Sequence, residues 1–232
     1  MLRVVSFNTF YAIRKKRLGK SVFETFADLD PDVICLQEVL IGKKSNFARD
    51  LADHLGYHLS FSLRAAFGGR QMGLAVLTKK PAEENTSIIL PHSSPRRPRI
   101  LQTVTFQSHG VRWRIANTHL NHPYLAPFAS RRTQLKTILT ELDRTDTAIP
   151  SILVGDFNTK SKKEVSAFTE VLRSARFQTP KTLPYSSRLL GMKWCFDWIA
   201  ARNCTIQNAA VLSEVKGSDH KPIWADIAID TK

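Results

Sequence analysis

The chain has 232 residues, is 43% hydrophobic and carries a net charge of +14. This length and apolar content favour one large α/β domain, residues 1–232, over two small ones. Three cysteines without paired spacing argue against a disulfide framework or a zinc site, and no apolar run approaches the roughly 18 residues of a membrane span. Because the chain starts directly with a strand-like segment rather than a signal peptide, we expect a cytoplasmic location.

Alternating apolar residues and β-branched side chains predict ten strands along the chain. They are residues 2–8, 33–38, 58–63, 73–78, 100–107, 111–118, 151–155, 194–200, 205–211 and 222–229. Four helices are predicted at residues 21–29, 45–55, 129–143 and 161–173. Many short strands with few helices favour two sheets packed face to face, with helices outside, over a doubly wound sheet.

Local signals mark the starts of two predicted helices. Ser45 is a candidate cap for the second, and Ser161 followed by Glu164 is a capping-box pattern at the fourth. Residues 11–20 and 159–163 are then expected to be loops, and both are rich in Lys and Arg. Because each loop follows a strand that ends in a polar residue, we infer a basic collar around that end of the sheets.

Polar side chains end several of the predicted strands. They are Asn8, Glu38, His119, Asp156 with Asn158, Asp197, and Asp219 with His220. Strands that each end in a carboxylate, an amide or an imidazole can bring those groups together at one rim of a sheet. Such a rim suits a metal ion and a phosphate, because Mg²⁺ prefers oxygen ligands and an imidazole donates to phosphate oxygens.

Each of these residues also has a structural interpretation. Glu38 is the first candidate for a metal ligand, because a Glu that ends an apolar strand is costly to hold without a cation; the alternative is a salt bridge at the rim. Asp156 and Asn158 lie two residues apart and face one side of an extended segment. A plain turn is the alternative for this pair and for Asn8, and a structural histidine is the alternative for His220.

Six short motifs contain these residues. They are Ser6-Phe-Asn8, Leu36-Gln-Glu-Val39, Thr118-His-Leu120, Gly155-Asp-Phe-Asn158, Phe196-Asp-Trp198 and Gly217-Ser-Asp-His-Lys-Pro222. Their order and spacing resemble the endonuclease/exonuclease/phosphatase superfamily of metal-dependent phosphohydrolases. Each motif alone is weak, but six in the family's order over nearly the whole chain are a specific signal. The resemblance implies an α-β-β-α sandwich of two mainly antiparallel sheets flanked by helices, with the site at one end.

The resemblance also implies a metal site. Asn8, Glu38 and Asp219 would hold Mg²⁺, with Mn²⁺ as a substitute. The ion would assist in-line attack of water on a phosphodiester, a reaction that needs an activated water, stabilised phosphate oxygens and help for the leaving oxygen.

Five further residues receive catalytic roles from the resemblance. Asp156 would orient or deprotonate the attacking water, and Asn158 would hold a phosphate oxygen. His220, paired with Asp197, would donate to the phosphate or protonate the leaving group. His119 would act as the opposing acid or bind the scissile phosphate.

Two residues point to different branches of the superfamily. The Thr-His-Leu form around His119 resembles the deoxyribonuclease, sphingomyelinase and phosphatase branches, whereas the apurinic endonuclease branch typically has a tyrosine in this region. Trp194, three residues before Asp197, instead resembles the apurinic endonuclease pattern, in which a tryptophan lines the abasic pocket. Core packing is the alternative for Trp194, because aromatic residues in strands are usually core.

The positive charge lies in two segments without acids. Residues 1–20 hold six Lys and Arg, and residues 85–140 hold eight. Such an imbalance attracts polyanions through phosphate contacts, although a basic surface can also serve solubility alone. The candidate substrate-binding residues are Asn121, Arg131, Trp194, Lys15 and Lys160. For Asn121 a loop role is equally open, whereas Arg131 is expected on the helix surface, with a phosphate contact as the alternative.

We therefore predict a Mg²⁺-dependent phosphodiesterase that cleaves DNA or RNA. The alternative is a phospholipid, sphingomyelin or phosphoinositide enzyme of the same superfamily, because basic loops also bind anionic lipid headgroups. A third hypothesis is a non-catalytic nucleic-acid-binding or protein-binding module. All the expected acidic, amide and imidazole positions are filled, which favours an enzyme over this third hypothesis.

Overall fold

The computed structural model describes residues 1–10, 15–43, 45–181, 185–189 and 192–229. Its elements, in chain order, are β1 Leu2–Asn8, α1 Lys15–Leu29, β2 Val33–Gly42, β3 Ser45–Asn46, α2 Phe47–Leu55, β4 His58–Phe67, β5 Arg70–Thr78, β6 Ala82–Ile89, β7 Ile100–Ser108, β8 Val111–His119, α3 Phe128–Arg144, β9 Ser151–Asp156, α4 Lys162–Ser174, β10 Ser187–Leu189, β11 Met192–Trp194, β12 Asp197–Arg202, β13 Cys204–Val211 and β14 Ile223–Ile229. No helix in the described part of the chain is long and apolar enough to cross a membrane.

The strands form two large sheets and a small hairpin. The larger sheet has seven strands in the order β13-β14-β1-β2-β5-β4, with β3 against β2, and the smaller has five in the order β12-β9-β8-β7-β6. Only the pairs β1 with β2 and β8 with β9 are parallel among the described strands. Strands β10 and β11 pair with each other as a two-stranded ribbon, and Ser187 of β10 also forms an isolated bridge with His220.

Alternating side chains sort the core into three apolar clusters. Between the two sheets, Val4 of β1 packs with residues such as Val154 of β9. The next residue, Val5, points the other way and packs under α1 and α2. On the far side of the smaller sheet, Trp198 packs beneath α3 and α4 with Phe168. The order of layers is therefore helix, sheet, sheet, helix, which confirms the predicted four-layer sandwich.

Several predicted boundaries were wrong. Helix α1 begins at Lys15, so the second half of the expected basic loop 11–20 is helical, and residues 11–14 lie outside the described part. Asn46 rather than Ser45 caps α2. The strand predicted over residues 194–200 is interrupted, because β11 ends at Trp194 and β12 begins at Asp197.

Three of the described strands were missed and one cap was right. The edge strand β6 was not predicted, because most of its side chains are exposed and it lacks an apolar alternation, and β3 and β10 have only two and three residues. At α4 the predicted cap is confirmed, since the Ser161 hydroxyl accepts a hydrogen bond from the backbone N–H of Glu164 at 3.2 Å.

A glycine stands where the two parallel strands of the smaller sheet leave no room for a side chain. Gly155 of β9 has a φ of 138°, and a Cβ at this position would lie 1.9 Å from the backbone oxygen of Thr118 in β8. Only glycine fits such a position, because a side chain would clash with the neighbouring backbone. The close approach sits one residue before the ends of both strands, at His119 and Asp156.

A buried amide network joins the two sheets beneath that end. Gln37 of β2 donates from Nε2 to Oδ1 of Asn117 in β8, at 2.8 Å. The Nδ2 of Asn117 donates in turn to the backbone oxygens of Leu36 and Ala75, both at 3.2 Å. These bonds satisfy polar groups that would otherwise be costly to bury, and they fix β8 against β2 across the sandwich.

Candidate active site

Strand register places the predicted site residues at one end of both sheets. In the smaller sheet, His119 pairs with Asp156 and Asp156 with Asp197, so three neighbouring strands carry these side chains at one level. In the larger sheet, Asn8 is level with Gln37, the residue before Glu38. The bond from Asn8 Nδ2 to Asp156 Oδ2, 2.9 Å long, links the two groups across the sandwich.

His220 and Asp197 form a buried pair. The Nδ1 of His220 lies 2.7 Å from Oδ2 of Asp197, which fixes the ring and leaves Nε2 facing the site, 3.8 Å from Oδ2 of Asp156. Burial acts to lower the pKa of His220, but the charges of Asp197 and Asp156 and the hydrogen bond to Asp197 outweigh it and raise that pKa to about 10. The imidazole is thus held as a charged donor at neutral pH.

Two serines hold this pair in place. Ser218 Oγ accepts from the backbone N–H of His220 at 3.1 Å and donates to the backbone oxygen of Asn8 at 2.8 Å. Ser186 Oγ accepts from the backbone N–H of Asp197 at 3.1 Å. The loop that carries His220 is therefore tied both to β1 and to the start of β12.

Asp156 lies at the centre of the site. Its Oδ1 accepts from the backbone N–H of Asn158 at 2.9 Å, and its Oδ2 lies 3.4 Å from Nε2 of His119. Burial is the main cause that raises the pKa of Asp156, to about 7, while the His220 charge acts against it. A carboxylate with such a pKa is suited to take a proton near neutral pH.

Asn158 follows Asp156 in a tight turn. Its φ is 56°, in the left-handed region that Asn tolerates better than most residues. The side-chain Nδ2 donates to the backbone oxygen of Leu120 at 3.1 Å. Asn158 therefore forms the turn and also lies in the site. The sequence had offered these two roles as alternatives.

A β-bulge aims Glu38 at the site. The pairing of β2 with β5 shifts between Leu36 and Val39, and Glu38 has a φ of 55°. Thr9 supports the bulge, because its hydroxyl lies 3.0 Å from the backbone oxygen of Gln37 and 3.1 Å from that of Glu38. Bulges of this kind re-aim side chains next to active sites.

The surroundings of Glu38 fit a hard cation. Its Oε2 is buried and has no hydrogen-bond partner among the described residues, and burial raises the pKa of the carboxyl. A bound cation would stabilise this charge. Asn8 and Asp219 line the same cavity and add oxygen atoms of the type that Mg²⁺ prefers. Asp156, Asp197 and His220 also bring potential ligand atoms within 4.8 Å of one another; in this group Asp197 Oδ2 bonds His220 and Asp156 Oδ2 bonds Asn8.

His119 lies between two carboxylates. Its Nδ1 is 3.8 Å from Oε1 of Glu38 and has no hydrogen-bond partner among the described residues, while Nε2 faces Asp156. Burial first, and then the charges of Arg99 and Arg64, hold the pKa of His119 well below its usual range. The two histidines of the site therefore differ: His119 is neutral and His220 is charged.

These groups surround a narrow cavity of about 110 Å³. The predicted residues that line it are Asn8, Glu38, His119, Asp156, Asn158, Lys160, Trp194, Asp219 and His220. Asp197 is not in the lining, because it lies behind His220. Ser187 and Pro123 line the cavity although no sequence signal singled them out. Phe196, the first residue of the motif Phe196-Asp-Trp198, also lines it, and Phe10, His122 and Tyr124 complete the lining.

Two of the candidate substrate-binding residues, Arg131 and Asn121, do not line this cavity. Arg131 is only 1% exposed, and its guanidinium donates to Glu164 at 2.8 Å and to the backbone oxygen of Ala126, so the expected helix-surface position was wrong. Asn121 is buried and donates to the backbone oxygen of His92. Lys15 begins α1, and its side chain lies outside the described part of the structure.

A second cavity opens beside the first. We call it the side cavity; it measures about 370 Å³ and is lined by Thr159, Lys160, Ser161, Lys162, Val165, Ser166, Tyr185, Trp194 and Cys195. Lys160 and Trp194 line both cavities. The indole of Trp194 stacks on Phe196 with ring centroids 5.8 Å apart, and Phe196 in turn contacts the His220 ring.

The basic segment 85–140 does not form one surface. Arg112 lies near the start of β8, the end opposite His119, and pairs there with Glu83 and Glu84. Arg114 is also near that end and is buried, as is Arg131. Part of the positive charge of this segment is therefore buried or paired away from the site.

Comparison with known proteins agrees with the geometry. The family model described as "Endonuclease/Exonuclease/phosphatase family" matches residues 5–220. The chain belongs to this family, whose members are hydrolases of phosphoesters and generally depend on divalent metal ions. A search of curated protein sequences gave no match.

Solved structures share the fold at low sequence identity. An endonuclease/exonuclease/phosphatase from Beutenbergia cavernae superposes with a TM-score of 0.81 at 20% identity, over 98% of this chain and 71% of that one. A mannosyl-6-phosphatase from Bacteroides thetaiotaomicron gives 0.76 at 17% identity, over 99% and 100%. ANGEL2, a 2',3'-cyclic phosphatase in complex with adenosine-2',3'-vanadate, gives 0.78 at 15% identity, over 99% and 96%.

Proposed function

We propose that this protein is a Mg²⁺-dependent phosphodiesterase that cleaves nucleic acid by in-line attack of water. One observation carries the proposal: the buried His220–Asp197 pair faces Asp156 across a cavity that Asn8 and Glu38 also line. A charged imidazole donor opposite a carboxylate with a pKa of about 7 supplies both an acid and a base.

Each residue then has a defined task. Asp156 accepts a proton from the attacking water, and the Asn8 amide holds its carboxylate in position. His220 donates from Nε2 to a phosphate oxygen or to the leaving oxygen, because Nδ1 is engaged by Asp197. Asn158 and neutral His119 contact the remaining phosphate oxygens.

The metal site in this proposal consists of Glu38, Asp219 and Asn8. When bound there, Mg²⁺ would neutralise charge that develops on the phosphate oxygens. Mn²⁺ would substitute, because it also prefers oxygen ligands. Removal of divalent ions with EDTA should therefore abolish hydrolysis.

A nucleic-acid substrate is supported by two features. The net charge of +14 attracts polyanions, and aromatic side chains of the kind that stack on bases lie beside the phosphate-sized cavity, namely Trp194, Phe10 and Tyr124. The structure of ANGEL2 contains bound adenosine-2',3'-vanadate. Binding of that ligand is an observation on ANGEL2, and it is compatible with a nucleic-acid substrate for the present protein.

Phospholipid hydrolysis is the second candidate. Tyr124 and Leu125 are 61% and 80% exposed, and Tyr124 lines the mouth of the cavity. Exposed aromatic and aliphatic side chains beside a basic mouth suit an enzyme that works at a membrane surface. Turnover of sphingomyelin or an inositol phosphate, with nucleic acid left intact, would favour this candidate.

An activity screen with matched variants tests the proposal. The purified protein is assayed with Mg²⁺, Mn²⁺ or EDTA against plasmid, oligoribonucleotide, abasic duplex and sphingomyelin. We expect metal-dependent cleavage of nucleic acid, and His220→Ala and Asp197→Asn should each lower kcat by at least about 100-fold while oligonucleotide binding persists. Lack of nuclease activity at low salt, or full activity in His220→Ala, would refute it.

A further inference from the structure

The catalytic cavity is too small for more than the reacting phosphate. Its volume of about 110 Å³ lies well below the roughly 300–1,000 Å³ of cavities that enclose small molecules. The groups attached to the phosphate must therefore extend beyond it. The side cavity, at about 370 Å³, falls within that range and shares two wall residues with the catalytic one.

Aromatic side chains connect the two cavities. Trp194 lines both and stacks on Phe196 at an interplanar angle of 13°, and the Phe196 centroid lies 5.7 Å from that of His220. Tyr185 contributes a second aromatic ring to the side cavity. A planar group that leaves the phosphate beside His220 would thus follow an aromatic wall into the side cavity.

The remaining walls add positive charge and hydroxyl groups. Lys160 and Lys162 line the side cavity, and none of the described residues in its lining is acidic. The ammonium group of Lys160 lies 4.2 Å from the centroid of the Tyr124 ring, on the rim of the catalytic cavity. Ser161 and Ser166 present hydroxyl groups beside the apolar side chain of Val165. These walls suit a ligand that is flat, polar and attached to an anion. A nucleoside fits this description better than an acyl chain does.

We propose that the side cavity binds a nucleoside attached to the scissile phosphate, with its base against Trp194 and Tyr185. This inference rests on the proposed phosphodiesterase function and specifies its substrate. A base that is paired and stacked in a duplex must leave the stack to enter such a cavity, at a cost of a few kcal/mol. The preferred substrate is consequently an unpaired nucleotide, in a single strand, at a strand end or in a small nucleotide diester.

A substitution on α4 can fill the side cavity without altering the catalytic residues. Ser166 lines the cavity and is exposed, so Ser166→Trp should occupy part of its volume and leave the helix intact. Ser174→Trp is the matched control, because Ser174 is exposed on the same helix and does not line the side cavity. Thermal denaturation of both variants checks that they fold.

Calorimetric titration in Mg²⁺ provides a readout that is independent of turnover. The probes are 3'-AMP, 5'-AMP and methyl phosphate, which share the phosphate and differ in the nucleoside. We expect the wild type to bind at least one AMP isomer about tenfold or more tightly than methyl phosphate, since stacking of one base contributes that much. Ser166→Trp should lose the difference and Ser174→Trp should keep it.

The outcomes separate this inference from the proposed function. If bis(p-nitrophenyl) phosphate is hydrolysed but neither AMP isomer binds more tightly than methyl phosphate, the nucleoside site is wrong and the phosphodiesterase stands. An unchanged preference in Ser166→Trp, or tighter binding of phosphocholine or inositol phosphate than of either AMP, would also overturn the nucleoside site. If no phosphodiester is hydrolysed, the proposed function itself fails.

Discussion

Glu38 holds one carboxylate oxygen in a buried position that no described donor reaches. Because burial penalises the charged form, the ionised carboxylate destabilises the folded protein unless a cation is bound. The residue that best supports a metal site is therefore also a source of instability in the metal-free protein. Because Glu38 should lower stability without a metal ion and raise it when the ion is bound, measurements of protein stability alone can test the metal site.

Glu38→Gln should change stability in opposite directions with and without Mg²⁺. Without divalent ions we expect the variant to be more stable than the wild type by about 1 kcal/mol, since the buried charge is removed. In Mg²⁺ at about 100 times Kd the wild type should gain about 2.7 kcal/mol, and the variant should gain little. Thermal denaturation in EDTA and in MgCl₂ measures both effects.

Glu170→Gln is the matched control for this experiment. Glu170 is exposed on α4, so its substitution should leave both the metal-free stability and the Mg²⁺ response unchanged. An equal Mg²⁺ response in Glu38→Gln and the wild type would exclude Glu38 as a metal ligand.

Single residues show why sequence patterns predicted the centre of the site better than its edges. Asp156 and His220 stand in local motifs, so their neighbours in sequence identified them. Arg131 was expected on the helix surface because charged helical residues usually face solvent, yet Glu164, 33 residues away, pairs with it inside the protein. No local pattern encodes a partner at that distance.

At the level of strands, Gly155 lies next to the pair His119 and Asp156, at a point where β8 leaves no room for a side chain on β9. A Cβ there would lie 1.9 Å from the backbone oxygen of Thr118, so any side chain must push β8 and β9 apart. The same displacement would separate two residues of the proposed catalytic centre. The glycine thus couples the packing of the sheet to the geometry of the site.

Gly155→Ala should lower both stability and activity. We expect a loss of about 3 kcal/mol or more, from backbone strain and overpacking together, which corresponds to a fall in Tm of roughly 6 °C or more. Gly56→Ala is the control: its φ is 70°, but no atom lies within 4 Å of the added Cβ, so about 1 kcal/mol is expected. Equal losses in the two variants would contradict the close approach at Gly155.

The amide network beneath the site gives a second prediction for the strands. Asn117→Leu removes the acceptor of the Gln37 amide and the donor to the backbone oxygens of Leu36 and Ala75. We expect a loss of about 2–4 kcal/mol in the free energy of unfolding, measured with urea. Since Gln37 directly precedes Glu38 in the bulge, kcat should also fall.

An exposed asparagine provides the comparison. Asn208 is exposed on the edge strand β13, so Asn208→Leu should cost no more than about 0.5 kcal/mol. If Asn117→Leu is no more destabilising than Asn208→Leu, the buried network does not join the sheets as described.

The elements differ in how far the sequence predicts them. Buried strands such as β9 show a continuous apolar run, and α4 shows its cap, so both were predicted. The edge strand β6 is exposed and is held by its pairing with β7, which no local pattern reveals. The bulge at Glu38 depends on β5 and Thr9, so the direction of the Glu38 side chain could not be predicted from the local sequence either.

For the molecule as a whole, charge is expected to govern the encounter with substrate. The net charge is +14, but not all of the basic residues lie near the site. Arg112, for example, pairs with two glutamates at the end of β8 opposite His119. The measured salt dependence should therefore reflect only the lysines and arginines that meet phosphates.

Oligonucleotide binding should weaken linearly in log Kd against log salt. For a single strand the slope is about 0.7 per phosphate neutralised, so the measured slope gives the number of phosphates that the protein contacts. Hydrolysis of bis(p-nitrophenyl) phosphate, which carries one charge, should change little over the same range. Fluorescence anisotropy and a colorimetric assay give the two curves; parallel salt responses would contradict an extended polyanion contact.

The two sheets differ in how their strands are distributed along the chain. The five strands of the smaller sheet come from one stretch, residues 82–202, whereas β1 of the larger sheet pairs on one side with β14, more than 200 positions later. During synthesis the smaller sheet can assemble early from nearby partners, while β1 must wait for β14 to emerge. His220 lies shortly before β14, which begins at Ile223, so we expect His220 to reach Asp156 and Asp197 only when β14 completes the larger sheet.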